Sequence, residues 1–399
     1  LYSTYTGNNQ YRKIAKSIFY EQINRIITKD GFLREGSSHY HFLILRWVLE
    51  VYYFSIKFND VVFSKYLSSY IFNLTEKSIH FLYKDDNESL AISLFGDISP
   101  DFEPEWLANL IYSKIMPFNI KSAPICKIPI YSWNNLWSNV SKINSDPNLS
   151  IDYKLNEINH IYKDSGWYFL NNNKTRALIR ADNKSIQNNV GHYNQDLFHI
   201  NILFNDIPFL VSLGRLNYNK KDEIANFGIY SKSHNSILVN NLSYLPDKVN
   251  FFPIKYIQAD NDLFYNKHTN ELIVSSNCFK RIDPSLIISR KILLKKEHLD
   301  IYDIIEGSGE YLVSKFFYFH NKLTLKSNRV INKNKRVIEF SYDKKFFYFE
   351  IHCSNVERLN ISVLNKNKEV YSYGKYNLCI GIKIENKRKL PNQYLIRIK

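Results

Sequence analysis

The stretch DSGWYFLNNNKTRALIR, Asp164 to Arg180, is where the hydrophobic period of this chain changes. Ahead of it, apolar residues recur at helical spacing. Behind it, short β-branched and aromatic runs alternate with turns rich in Asn, Asp, Gly and Lys. Trp167 to Leu170 and Thr175 to Arg180 read as the first two strands. Helices first and strands second imply segregated domains. The expected fold class is α+β and multidomain, with a helical domain over 1–160 and an antiparallel β-sandwich over 161–399.

Working back from the switch, Tyr11 to Ile27 carries Ile14, Ala15, Ile18, Phe19, Ile23, Ile26 and Ile27, a helical stripe. A helix after Tyr40 follows with Phe42, Leu43, Leu45, Val48 and Leu49, and Val61 to Tyr83 repeats the pattern. A loop, Ser93 to Pro104, precedes two shorter helices, Glu105 to Ile115 and Ser132 to Ile143. Prolines 100, 104, 117, 124, 129 and 147 punctuate the connections. Working forward, strands are expected over Leu197–Phe204, Ile207–Leu213, Ser236–Val239, Glu271–Ser275, Ile288–Leu294, Leu299–Ile305, Tyr311–Phe319, Val337–Tyr342, Phe346–His352, Leu378–Ile384 and Tyr394–Ile398.

At 399 residues the chain can hold two or three domains with real cores. Aromatic residues make up 16%, which suits a surface that stacks on sugar rings, although most will build cores. The net charge of +15 favours a polyanionic partner, and a Lys- and Asn-rich composition bias accounts for much of it. Basic residues are scattered, Lys383 to Lys389 being the densest run, and no zinc-finger or RNA-binding signature occurs, which argues against nucleic acid. Cys126, Cys278, Cys353 and Cys379 lie far apart without a CxxC, so no zinc ribbon or redox motif is indicated. No run reaches the length of a membrane span. The chain starts at Leu1 without Met or a signal peptide, so it is expected to lack its N-terminus, and an export signal could have been lost with it.

Three polar clusters could carry chemistry. Arg34-Glu35-Gly36-Ser37-Ser38-His39-Tyr40-His41 sits at the mouth of a greasy helix and gathers a phenol, two imidazoles and a carboxylate, the groups proton transfer needs. A tyrosine has an unperturbed pKa of about 10, so it needs a cation's help to act as a base. Read blandly, the same residues are an N-capping serine pair leading aromatics into a core. Gly191-His192-Tyr193-Asn194-Gln195-Asp196 leads into an apolar strand. Ser233-His234-Asn235-Ser236 precedes another, and could orient a ligand, bind a metal or cap the strand. The neighbouring Gly214-Arg215-Leu216-Asn217-Tyr218 loop offers an arginine to an anion.

In this order, Asp30-Gly31, Glu35-x-Ser37-x-x-Tyr40-His41, Phe95-Gly96-Asp97, Ser165-Gly166, Gly191-His192, Leu213-Gly214 and His234-Asn235 resemble heparinase II/III-type polysaccharide lyases over nearly all of the chain. The resemblance implies an incomplete (α/α) toroid followed by an antiparallel β-sandwich, with substrate in the cleft between them. It implies β-elimination beside a uronate, with Tyr40 as general acid and at times base, and His192 assisting. Arg34, Glu35, His39, His41, Asn194, Arg215, His234 and Asn235 are the expected substrate-binding residues. Many members of the family bind zinc in the sandwich, at positions that here read Asn194, Ser212 and His234. One imidazole with an amide and a hydroxyl is a poor zinc set, so no metal or other cofactor is expected. The expected partner is an acidic polysaccharide, with no nucleic acid and no integral membrane segment. The expected setting is periplasmic or cell-surface, in bacterial capsule or O-antigen metabolism. The alternatives are a non-catalytic glycan-binding protein on the same fold, and a hydrolase using Glu35 and Asp97.

Overall fold

A computed structural model describes residues 6–112, 119–121, 150–181, 192, 194–219, 221–246, 257–390 and 392–399. The helix expected over Ser132–Ile143 lies outside these residues, as do Cys126, Gly191 and Tyr193. The chain divides into two compact units, Leu1–Asn156 and Glu157–Lys399.

The first unit is built on three helices: α1 (Asn9–Ile26), α2 (Ser38–Lys57) and α3 (Val61–Ser78). Each starts where a side chain can accept from an otherwise unbonded N–H of the first turn. Asn8, Ser37 and Asp60 do so for Tyr11, Tyr40 and Phe63. One face of α2 buries Phe42, Leu45 and Leu49, and α3 packs on it with Leu67, Ile71 and Leu74. The single helix expected to run to Tyr83 instead stops at Ser78. A 3-10 turn, Ile79–Phe81, leads into β1 (Leu82–Lys84), which pairs antiparallel with β2 (Leu90–Ile92). The cause is the polar turn between them: Asp85 Oδ1 accepts from the N–H groups of Asn87 and Ser89 at 2.9 and 2.8 Å, and Glu88 adopts φ +62°. A short helix α4 (Pro104–Leu110) follows, with proline at its first position, and then a parallel pair, β3 (Asn119–Lys121) with β4 (Ser150–Asp152).

In the second unit, strands β5 (His160–Tyr162), β6 (Trp167–Asn171), β7 (Thr175–Arg180), β8 (Ile200–Phe204) and β9 (Ile207–Leu210) come first. A short helix α5 (Glu223–Phe227) and β10 (Ile237–Val239) follow. Then come β11 (Asn261–Asn266), β12 (Glu271–Ser276), β13 (Ile287–Leu294), β14 (Leu299–Glu306) and β15 (Glu310–Phe319). The last are β16 (Thr324–Asn332), β17 (Lys335–Tyr342), β18 (Lys345–His352), β19 (Asn360–Ser372), β20 (Lys375–Lys389) and β21 (Asn392–Ile398). One antiparallel sheet runs β19-β20-β15-β9-β8-β7-β6-β5, with β10 also on β15; the other runs β11-β12-β13-β14-β21-β18-β17-β16. Their inner faces share one hydrophobic core. Phe319 of the first sheet stacks on Phe340 of the second at 4.1 Å, and Phe209 meets Phe340 edge-on at 5.9 Å. The expected antiparallel sandwich is therefore present. Two strands are shorter than expected. β8 begins at Ile200 because Phe198 takes φ +66° and breaks the extended run, and β9 ends at Leu210.

Candidate functional site

In the helical unit, the N-terminus of α2 is stitched to Phe95–Ser99. Ser37 Oγ donates to Asp97 O at 2.7 Å, and Ser38 Oγ accepts from Phe95 N at 3.0 Å. The Ser99 N–H donates to His39 Nδ1 at 3.1 Å. Gly96 makes this possible. Its φ is +69°, and a Cβ there would stand 2.9 Å from Ser37 Cα. Tyr40 emerges from this clamp half-buried in the first turn of α2. Arg34 and Glu35 are also half-buried, and Arg34 Nε donates to Arg25 O at 3.0 Å, which ties it to the end of α1.

The histidines flanking Tyr40 differ from it. His41 is buried with both ring nitrogens used: Leu33 N–H donates to Nδ1 at 3.2 Å, and Nε2 donates to Leu74 O at 2.9 Å. Burial above all pushes its pKa down to about 4, despite the opposing pull of the Leu74 carbonyl. The expectation that His41 binds substrate is therefore corrected: it is a neutral clip between α2, α3 and the preceding turn. His39 is fully buried, and burial pushes it down to about 3. Its Nε2 has no hydrogen-bond partner among the described residues.

In the sandwich unit, His192 takes φ +61° and sets Nδ1 3.3 Å from the Tyr218 hydroxyl. The Arg215 guanidinium lies 4.8 Å over the Tyr218 ring. The loop carrying both is held from two sides. Tyr218 N–H donates to Tyr373 Oη at 3.0 Å, and Gly374 N–H to Leu216 O at 2.8 Å, so the β19–β20 turn clamps it. From the other side Gly228 packs so closely that a Cβ would lie 2.2 Å from Gly214 O. Tyr218 and Tyr373 were not among the expected site residues. The only sequence signal was Tyr218's place in the Arg215 loop; its partner Tyr373 lies 155 residues further along the chain.

Asn235 is also corrected. It is buried, and its side chain is spent on the fold: Nδ2 donates to Ile200 O and Val211 O at 2.7 and 3.1 Å, and Oδ1 accepts from Tyr318 N at 2.7 Å. Its own N–H donates to Nδ1 of His199, whose Nε2 faces Asn201 Oδ1 at 2.8 Å. Burial, together with His234 and Arg290, holds His199 well below the usual imidazole range. His234 is buried and its pKa falls to about 3. His234 Nδ1 lies 3.0 Å from Ser212 Oγ, while Nε2 has no partner among the described residues. Asn194 is buried with neither amide atom partnered among them. Substrate contact expected of His39, Asn194 and His234 is not open in this structure, because all three are closed off from solvent. Arg215 remains half-buried.

A zinc ion at Asn194, Ser212 and His234 does not suit this chemistry. The set offers no thiolate or carboxylate, and Ser212 already engages the imidazole and the Gly214 N–H. Among the described residues, no three His, Cys, Asp or Glu side chains gather as a ligand cluster.

Residues 158–364 match the family described as Heparinase II/III-like, C-terminal. The chain belongs to that heparinase II/III-like family. Among solved structures, it is similar to the heparan sulfate lyase HepC of Pedobacter heparinus, at 15% identity and TM-score 0.64, over 98% of this chain and 55% of that one. It is also similar to a heparinase III gene product, at 14% identity and TM-score 0.66, over 98% and 55%. A further heparinase III matches at 13% and TM-score 0.63, over 95% and 55%. At these identities the likeness shows the fold, and the chain spans about 55% of the length of those structures. No curated protein matches it in sequence.

Proposed function

We propose that this chain is a polysaccharide lyase that cleaves an acidic, uronate-containing glycan by β-elimination. The observation that carries the reading is the His192–Tyr218–Arg215 constellation: an imidazole on left-handed backbone, a phenol at 3.3 Å and a guanidinium over that phenol. Membership of the family supports it. In the reaction the C5–H bond breaks and its proton passes to a base. The C4–O bond breaks as the C4–C5 double bond forms, and the leaving oxygen takes a proton from an acid. Tyr40 is assigned as the acid. His192, backed by Tyr218, is assigned to the C5 proton. Arg215 is assigned to the uronate carboxylate, whose neutralisation acidifies C5–H. A two-carboxylate hydrolase is disfavoured, since Asp97 is buried.

The incomplete toroid for the helical unit, and a periplasmic or surface setting in capsule or O-antigen metabolism, belong to the same proposal. No helix among the described residues is long and apolar enough to cross a membrane. The test is incubation with uronate polysaccharides while following the ultraviolet absorbance of the unsaturated product. Tyr40→Phe and His192→Gln should each lower the rate by about 10²–10⁴-fold. Absence of product from every acidic glycan, or full activity in both variants, would refute the reading; the first result would point to a glycan-binding protein, the second to other catalytic residues.

A further inference from the structure

The loops around His199 and His234 hold buried polar atoms that the fold does not pair. Asn194 and His234 are 1% and 0% exposed, and Asn194 Nδ2 and Oδ1 and His234 Nε2 are without partners among the described residues. Such groups are rare in folded proteins, and each calls for a ligand or internal water. The segments carrying them are sewn together: Gln195 N–H donates to Ile229 O at 2.7 Å, and Ser231 Oγ to Gln195 Oε1 at 3.5 Å. Ser212 Oγ accepts from the Gly214 N–H at 3.3 Å and lies 3.0 Å from His234 Nδ1, so that ring nitrogen is already engaged.

Charge adds to this. Arg290, 1% exposed, reaches from β13 and donates from Nη1 to Phe198 O at 2.6 Å and to Asn235 O at 2.7 Å. One fixed cation thus pins both loops, directly beside His199 and His234. It is clipped to Asp303 through Nε and Nη2 at 2.7 and 2.9 Å, and Lys315 Nζ also faces Asp303, at 3.4 Å. Two cations against one carboxylate leave this group positive, which repels a further cation nearby. Asp196, the carboxylate in the first loop, is buried, and it does not gather with the histidines into a three-residue ligand set among the described residues.

We infer that Arg290 cross-links these loops in place of a metal, and that Asn194 and His234 take internal water, which both donates and accepts as their unpaired atoms require. The protein's own guanidinium does the joining, and no divalent ion is needed for the sandwich to stand.

The experiment uses the full chain and does not depend on lyase activity. Purified protein is assayed for bound zinc by elemental analysis and melted with and without EDTA. The expected results are no retained zinc and no shift in the melting midpoint. One zinc per chain, or a midpoint lowered by EDTA, overturns the inference. In a second arm, Asn194→His combined with Ser212→Asp restores a three-ligand set with His234. At free zinc about 100 times its Kd, the melting midpoint of that variant should rise by about 5–10 °C, with one zinc bound. A variant that folds, by circular dichroism, yet binds no zinc shows that the three positions do not converge, and also overturns the inference.

Discussion

Replacing Arg290 by methionine tests whether one buried ion pair organises the sandwich loops. Arg290 and Asp303 are each 1% exposed and joined by two short hydrogen bonds. Losing the guanidinium leaves Asp303 with Lys315 at 3.4 Å as its remaining ion partner and strips the carbonyls of Phe198 and Asn235 of their shared donor. Breaking such a pair by removing one partner costs about 3–5 kcal/mol. In a unit of this size that is a fall of about 6–20 °C in melting midpoint. The assay is urea unfolding and thermal melting of wild type, Arg290→Met, Asp303→Asn and the double variant. The two single changes should not add, because each destroys the same contact, and the coupling should reach about 1–3 kcal/mol. Burial works to raise the Asp303 pKa, but Arg290 and Lys315 outweigh it and hold the folded value below the usual aspartate range. The stabilisation is therefore fully present above the unfolded value and is lost as pH falls through the folded one. A cost below about 1 kcal/mol, typical of an exposed pair, or strict additivity would refute the reasoning.

Lys315 is the third charge of that group, and burial lowers it from 10.5 to about 8 against the pull of Asp303. Between these values the unfolded chain holds a proton that the folded one has released, so wild-type stability should rise with pH from about 8 to 10.5. Lys315→Met should lose that slope in urea titrations and be no less stable at pH 7; an unchanged slope would contradict this placement. Four buried histidines set the acid limb. His39, His41 and His234 fall to about 3, 4 and 3, and His199 falls too, so the folded form stays neutral while the unfolded form gains protons below 6.5. Stability should drop as pH falls below that value, by up to about 1.4 kcal/mol per pH unit per histidine, and His199→Gln should flatten the limb. Equal stability at pH 7 and pH 5 would show that these rings are not neutral in the fold.

The sandwich strands missing from the sequence reading have one physical trait. β5, β11, β16 and β19 are the four outer strands of the two sheets. An outer strand has a free edge and little covering on either face, so few of its positions must be apolar and alternation is weak. TLKSNRVIN of β16 and NISVLNKNKEVYS of β19 show this, with polar residues on both faces. Inner strands such as Thr175–Arg180 must bury a face and therefore declare themselves. The helix misread past Ser78 shows the complementary case: apolar residues continue through Phe81, but the Asp85 turn and the β1–β2 pairing redirect them.

By itself the sequence determined the element types of the interior, the serine pair that caps the second helix, the helical stripe beginning at Val61, and the change of architecture near Gly166. Each follows from local periodicity and capping chemistry. Which histidines remain available to a substrate was decided by tertiary structure alone. His39, His41 and His199 are kept neutral by burial and hydrogen-bond to backbone groups 60, 33 and 36 residues away, and Tyr218 is held by a turn 155 residues further on. A polar residue's motif shows what its side chain is able to do. Whether it does so depends on burial and on partners that only the folded chain brings within hydrogen-bond reach.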